Sequence, residues 1–317
     1  MPTMARGLFI DFHAHLRGKK DIQAPDTPNY PLLQAAAEAL EPALVEGINL
    51  FARHGRHRVM TQFYPLFKRV GFNEIIRQFN KHQVEQLLAS MDANGIERTI
   101  IAAIEPFFET LDLLETIRPY ADRFAVFCSV DPEDEEYADK FEEYVGTGMV
   151  YGMKIHPAMA GPAPTSERMF ELMALAQKHR LPVIIHTGTF PFPLCEGANN
   201  VLMLEPVIKA FPDVPIVLAH IGWDQSHHVL SLGHDYANCY TDTSWQPVKI
   251  IREAISAFGL QRVLFGSDFP LFQQATALGT LIEAVRPEEL HMVGYENART
   301  LLARSHPDEY PPRGAPP

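Results

Sequence analysis

Cysteine is scarce in this 317-residue chain: Cys128, Cys195 and Cys239 only, an odd number, far apart and without a CxxC pair. That spacing excludes a disulfide framework and implies reduced thiols in an intracellular, cytoplasmic protein. None of the three has an acid/base partner nearby in sequence, which argues against a thiol nucleophile. Positive charge is also short, with 27 Lys and Arg against 39 Asp and Glu, a net charge of −12. Such a field repels phosphate backbones and argues against nucleic-acid binding. No segment reaches the ~18 uninterrupted apolar residues that a membrane span needs. Met1 to Gly7 carry no apolar signal core, and the first apolar run already contains Asp11 and His13, so no secretory signal is expected.

What the chain has is an ordinary globular balance, 46% hydrophobic and 21% charged, able to bury a large core. Short β-branched and aromatic runs fall at 8–13, 98–104, 124–130, 149–156, 182–187, 215–220, 238–244 and 262–267. Helical patterns separate them, among others at 109–119, 134–146, 165–180, 199–211 and 248–258. Strands alternating with helices imply parallel βαβ units. Eight such units imply an α/β fold of the (β/α)8 TIM barrel type, as one domain over 1–305. Residues 17–96, between the first two strands, are too long for a bare loop. Helical spacing at 31–54 and 73–94, with a stop at Asn94-Gly95, predicts a helical insertion there, a lid or a subunit contact. The proline-rich end, 306–317, reads as a disordered tail.

Asp11-Phe12-His13-Ala14-His15 closes the first run. In a strand, residues two apart share a face, so His13 and His15 aim together at the barrel mouth. Paired imidazoles suit a borderline-soft divalent cation. Lys154 and His156 end strand four, His186 strand five, His220 strand six and Asp268 strand eight. Any one buried histidine is more often a hydrogen-bonded core residue than a ligand. Ionisable groups at five strand C-termini are different, because those ends line the active site in this barrel. Such a buried cluster must be paired or metal-bound.

The motifs Asp11-Phe12-His13-Ala14-His15, Gly152-Met153-Lys154-Ile155-His156-Pro157, Pro182-Val183-Ile184-Ile185-His186, Leu218-Ala219-His220-Ile221-Gly222 and Phe265-Gly266-Ser267-Asp268-Phe269-Pro270 follow in order, with Glu296-Asn297-Ala298-Arg299 after them. Together they resemble the amidohydrolase superfamily, in its amidohydrolase-2 branch, which also contains the aminocarboxymuconate-semialdehyde decarboxylase type. The resemblance implies that His13, His15, His186 and Asp268 are metal ligands, with Asp268 also accepting a proton from water. It implies that His220 stays off the metal in single-metal members and polarises substrate or moves a proton. Zinc suits three imidazoles and a carboxylate best, with manganese, iron and cobalt as alternatives.

The chemistry implied is hydrolysis of an amide, ester or lactone of a small molecule, the cation drawing the pKa of water from ~15.7 towards ~7. Asp268 would take the proton, and the ion or His220 would stabilise the oxyanion. The alternative is non-oxidative decarboxylation of a small carboxylic acid with the same metal; a non-catalytic barrel is a third reading, disfavoured by Asp268 and His220. In two-metal members a strand-four lysine is carbamylated and bridges the ions. In this branch Lys-x-His-Pro resembles a substrate-contacting pair, so Lys154 and His156 are expected to meet a carboxylate-bearing substrate, and one metal is favoured over two. Trp223, with Asp224, is expected to shape the pocket. Asp11 and Asn297 are expected to anchor their surroundings, and Asp242 and Ser244 to line the mouth or cap a helix. His227, His228 and His234 read as a solvated helix face, and the basic run Arg53–Arg58 as a helix terminus. A homodimer is the default expectation for an oligomer.

Overall fold

The computed structural model describes residues 8–22, 55, 71–190 and 197–310. Among them the strands run β1 (Phe9–Ala14), β2 (Ile96–Ala102), β3 (Phe124–Cys128), β4 (Val150–Ile155), β5 (Val183–Ile185), β6 (Ile216–Leu218), β7 (Cys239–Asp242) and β8 (Val263–Leu264). Each pairs in parallel with the next in chain order. The ends of the sheet meet: Phe12 N donates to Phe265 O at 2.8 Å and Asp268 N to His13 O at 2.6 Å. The result is the (β/α)8 barrel that the alternation of runs predicts.

Helices α1 (Gly71–Lys81) and α2 (Val84–Asn94) precede β2. Next come α3 (Thr110–Ile117), α4 (Tyr137–Gly146), α5 (Glu167–Lys178), α6 (Glu205–Ala210), α7 (Ser226–Asp235) and α8 (Val248–Phe258), one after each strand from β2 to β7. After β8 lie α9 (Gln274–Ala284), α10 (Pro287–His291) and α11 (Asn297–Leu302).

The strands are apolar on both faces because both faces are covered. On β5, Ile184 joins Ile10, Phe12, Ile100 and Phe127 in the inner cluster. Its neighbours Val183 and Ile185 join the outer cluster with helix residues such as Leu172 and Ala254. This is the two-residue period of a strand, read from both sides. Local signals set the helix ends. Ser166 Oγ accepts from Met169 N at the start of α5. Gly95, at φ 67°, ends α2 in the left-handed conformation that glycine adopts without strain.

Within the insertion, the 73–94 pattern appears as α1 and α2, whereas 31–54 lies outside the described residues, as does the Arg53–Arg58 run apart from Gly55. Ile76 and Phe79 of α1 pack with Ile22, Ile104, Phe108 and Met159. This apolar group roofs the mouth, since Phe79 and Phe108 lie 5.8 and 5.9 Å from the His15 ring.

At the opposite end the chain stays packed beyond residue 305. Tyr310 is buried, its hydroxyl bonded to Arg98, while Glu309 pairs with both Arg98 and Tyr151. Of the expected tail, 306–310 pack here, and 311–317 lie outside the described residues. Among the described residues no helix is long and apolar enough to cross a membrane.

Candidate metal and catalytic site

The polar strand ends converge at the C-terminal mouth. Two groups of three potential ligands have donor atoms mutually within 4.8 Å among the described residues: His13, His15 and Asp268, and His13, His220 and Asp242. All five side chains are buried.

Hydrogen bonds fix which ring nitrogen faces inward. Asp242 Oδ2 lies 3.0 Å from His13 Nδ1. An ionised carboxylate only accepts, so Nδ1 carries the proton and Nε2 presents its lone pair. His15 Nδ1 lies 2.7 Å from the carbonyl of Ala102, which assigns the same tautomer. Both Nε2 atoms then face Asp268 Oδ1, at 3.7 Å from His13 and 3.2 Å from His15. Ser244 Oγ–H donates to Asp242 Oδ1, so His220 Nδ1, 2.7 Å from Ser244 Oγ, is the donor to that hydroxyl oxygen. Asp242 thus orients His13 directly and His220 through Ser244.

The electrostatics follow from burial and these pairings. Burial alone would raise both carboxylates. The imidazoles of His220, His15 and His13 instead hold Asp268 far below the usual range, and His13 holds Asp242 at about 2. Burial lowers His13, helped by the Lys154 charge and opposed by Asp242, and lowers His220 to about 4. Burial, with the neighbouring imidazoles and the Lys154 charge, drives His156 and His186 well below the ordinary imidazole value. Burial likewise draws Lys154 down to about 8 against the pull of Asp268 and Asp242.

His186 stands differently from the other histidines of the expected ligand set. It lies flat against His156, centroids 3.9 Å apart and planes 9° apart, and 5.1 Å from His220. It belongs to neither 4.8 Å group. Its Nε2 is buried without a hydrogen-bond partner among the described residues. An orphaned buried imidazole nitrogen beside two inward-facing lone pairs and a carboxylate fits a divalent cation.

Lys154 Nζ sits 3.0 Å from His13 Nε2. The Nδ1 atom of His156 accepts from Met159 N at 3.0 Å, so its ring is fixed by its own loop. Trp223 stacks on Trp245, centroids 5.4 Å apart. Left-handed backbone at His220, Ile221 and Trp223 turns the chain sharply after β6. Gly188, at φ 107°, admits this turn, since a Cβ there would meet Trp223 Cβ at 2.6 Å.

Other residues have plainer positions. Asp11 accepts from Ser267 N and Oγ and from Gln274 Nε2, tying β1 to β8 and α9. A register shift between Asp11 and Ala14 lets Asp11 face α9 while His13 faces the mouth. Asn297 Nδ2 donates to the carbonyls of Leu260 and Val263. His227 lies against His228 at a tilt of 40°, and His234 meets Asp235 at the surface. Asp224 holds Thr189 N and Oγ1. Cys128 and Cys239 are unbonded, and burial pushes both thiols up, Cys239 to about 12; Cys195 lies outside the described residues. A cavity of about 230 Å³ beside Arg180 and Arg304 opens at the other end of the barrel, remote from this chemistry.

Sequence reading left two residues without their roles. Asp242 is the hub for two histidines, and Trp245 donates from Nε1 to Asp268 Oδ2 at 2.6 Å. The visible signal is the run Asp242-Thr243-Ser244-Trp245-Gln246 at a strand end, four hydrogen-bonding side chains around the second of only two tryptophans.

With this geometry in view, comparison defines the class. The amidohydrolase-2 family profile, described as amidohydrolase, matches residues 10–304. The chain belongs to that family. An uncharacterized TIM-barrel protein from Bordetella bronchiseptica shares the fold at TM-score 0.66 and 20% identity, over 94% of this chain and 99% of that one. A probable 2-pyrone-4,6-dicarboxylic acid hydrolase from Acinetobacter baumannii aligns at TM-score 0.61 and 14% identity, over 94% and 100%. A 5-carboxyvanillate decarboxylase from Novosphingobium aromaticivorans, complexed with manganese and 4-hydroxy-3-methoxy-5-nitrobenzoic acid, aligns at 0.61 and 15%, over 95% and 99%. No curated protein matches the sequence.

Proposed function

We propose that this chain is a metal-dependent, non-oxidative decarboxylase of a small carboxylic acid. The observation that carries the reading is Lys154, a fully buried cation with no carboxylate in ion-pair contact among the described residues. Asp268 and Asp242 attract this ammonium only from a distance, and a substrate carboxylate would supply a counter-anion in direct contact. Neighbours of this fold are mostly named decarboxylases, which favours carbon dioxide release over the hydrolysis expected from the sequence. Hydrolysis of a carboxylate-bearing lactone is the second reading, supported by the hydrolase-named neighbour.

The ion would be held by His13, His15, His186 and Asp268. Manganese accompanies two decarboxylases of this fold, and the donor set accepts manganese or zinc. A divalent ion there supplies fixed positive charge that polarises a substrate oxygen. Lys154 binds the substrate carboxylate. His220, neutral in the free site, would take up a proton from solvent on Nε2 once the anionic substrate is bound, and deliver it to the carbon that bears this group. The bond to the carboxylate then breaks, its electron pair stays with the carbon skeleton, and carbon dioxide leaves. The chain Nδ1–H to Ser244 to Asp242 stabilises the imidazolium that carries the proton. His156 and Trp223 wall the substrate, and the phenylalanine roof excludes water, which strengthens the pairing at Lys154.

The test is to incubate manganese- or zinc-loaded protein with small aromatic carboxylic acids and with lactones. Carbon dioxide release from an acid is expected. Acid release from a lactone, with no carbon dioxide from any acid, would replace this reading with the hydrolase.

A further inference from the structure

We propose that Trp245 is a positioning residue for Asp268, a role that rests on Asp268 being a metal ligand. Three observations carry it. First, the indole Nε1–H donates to Asp268 Oδ2 at 2.6 Å, both groups being buried. An indole N–H can only donate, so it commits Oδ2 as an acceptor and leaves Oδ1 for the side facing His13 and His15. Second, the indole cannot swing. It is stacked between Trp223, at 5.4 Å and 9°, and Phe272, at 5.0 Å and 28°. Third, Trp245 and Asp268 both sit at φ 63°, a conformation that costs a non-glycine residue free energy and persists only where surroundings enforce it.

The same short turn after β7 carries Asp242, which orients His13, and Ser244, which orients His220. Trp245 extends that turn's reach to the carboxylate after β8. One segment thereby sets the directions of three groups from three different strands. Asp268 presents Oδ1 to the ion, while Oδ2 is engaged by the indole.

The chain has only two tryptophans, and they stack on each other. Two indole N–H signals are therefore expected in a proton–nitrogen correlation spectrum, and Trp223→Phe assigns them. Zinc titration of the native protein should shift the Trp245 indole signal. Trp245→Phe keeps the ring stack and removes the donor. It should retain native circular dichroism and weaken zinc binding at least 10-fold, the usual cost of losing a group that orients a ligand. A Trp245 signal indifferent to zinc that the native protein demonstrably binds would overturn the proposal. So would zinc affinity in Trp245→Phe equal to native. Failure of the native protein itself to bind zinc or manganese would instead remove the metal reading, and this inference with it.

Discussion

His15 Nε2 and Asp268 Oδ1 face each other at 3.2 Å while His15 Nδ1 is engaged by the carbonyl of Ala102. In the neutral tautomer that leaves a lone pair pointing at a carboxylate oxygen, two acceptors with nothing to share. A proton or a cation must lie between them. His13 Nε2 is turned to the same oxygen at 3.7 Å, its Nδ1 taken by Asp242, with the Lys154 ammonium 3.0 Å from that Nε2. Two imidazoles aimed at one carboxylate oxygen are what a divalent cation stabilises.

Asp242→Asn removes the charge that fixes both His13 and, through Ser244, His220. Metal affinity or turnover should fall by about 10–100-fold with little change in fold. Calorimetric titration with zinc, alongside circular dichroism, checks this; native affinity would contradict it.

Lys154→Met replaces a buried cation with an apolar chain of similar length. Turnover of a carboxylate substrate should be lost or its KM raised sharply. Unfolding of the metal-free protein in urea should show unchanged or higher stability, by on the order of 1 kcal/mol, because a desolvated charge with no carboxylate in direct contact is gone. A large loss of stability would mean that Lys154 holds the fold rather than a substrate.

Much of the barrel was legible because the signal repeats: Ile184 inward with Val183 and Ile185 outward follows from strand parity alone. The strand-end histidines, Lys154 and Asp268 were legible for the same reason, as polar residues where apolar runs stop. The slip in β1 between Asp11 and Ala14 was not, since a bulge has no signature in a run of buried residues. Nor was the stacking of His186 on His156, which depends on how far two neighbouring strands advance. The work of Asp242 and Trp245 is done through hydrogen bonds to residues 229 and 23 positions away, invisible to any local pattern.

Glu105 provides a pH test at a buried carboxylate outside the expected ligand set. Its carboxylate accepts from Thr110 N at 3.0 Å, and burial raises its pKa above 4.5. The folded state therefore holds this proton at pH values where the unfolded chain has lost it, so stability declines as pH rises from about 4.5 through the folded value. Glu105→Gln should flatten the stability profile in that window, read by urea unfolding at successive pH values. Parallel profiles for the two proteins would contradict the assignment.

Tyr310 tests the packed C-terminal segment. Tyr310→Ala uncovers Arg98 and Tyr151 at the end of the barrel remote from the catalytic mouth. It should cost on the order of 3 kcal/mol in stability while leaving the turnover of folded protein unchanged. Denaturant unfolding and an activity assay, run on the same sample, separate the two effects.

Metal content per chain tests the central claim most directly. Native protein dialysed against zinc or manganese and then metal-free buffer should retain one equivalent by mass spectrometry of the element. The double variant His13→Ala with His186→Ala, still folded by circular dichroism, should retain none. A double variant that kept its full equivalent would contradict the account.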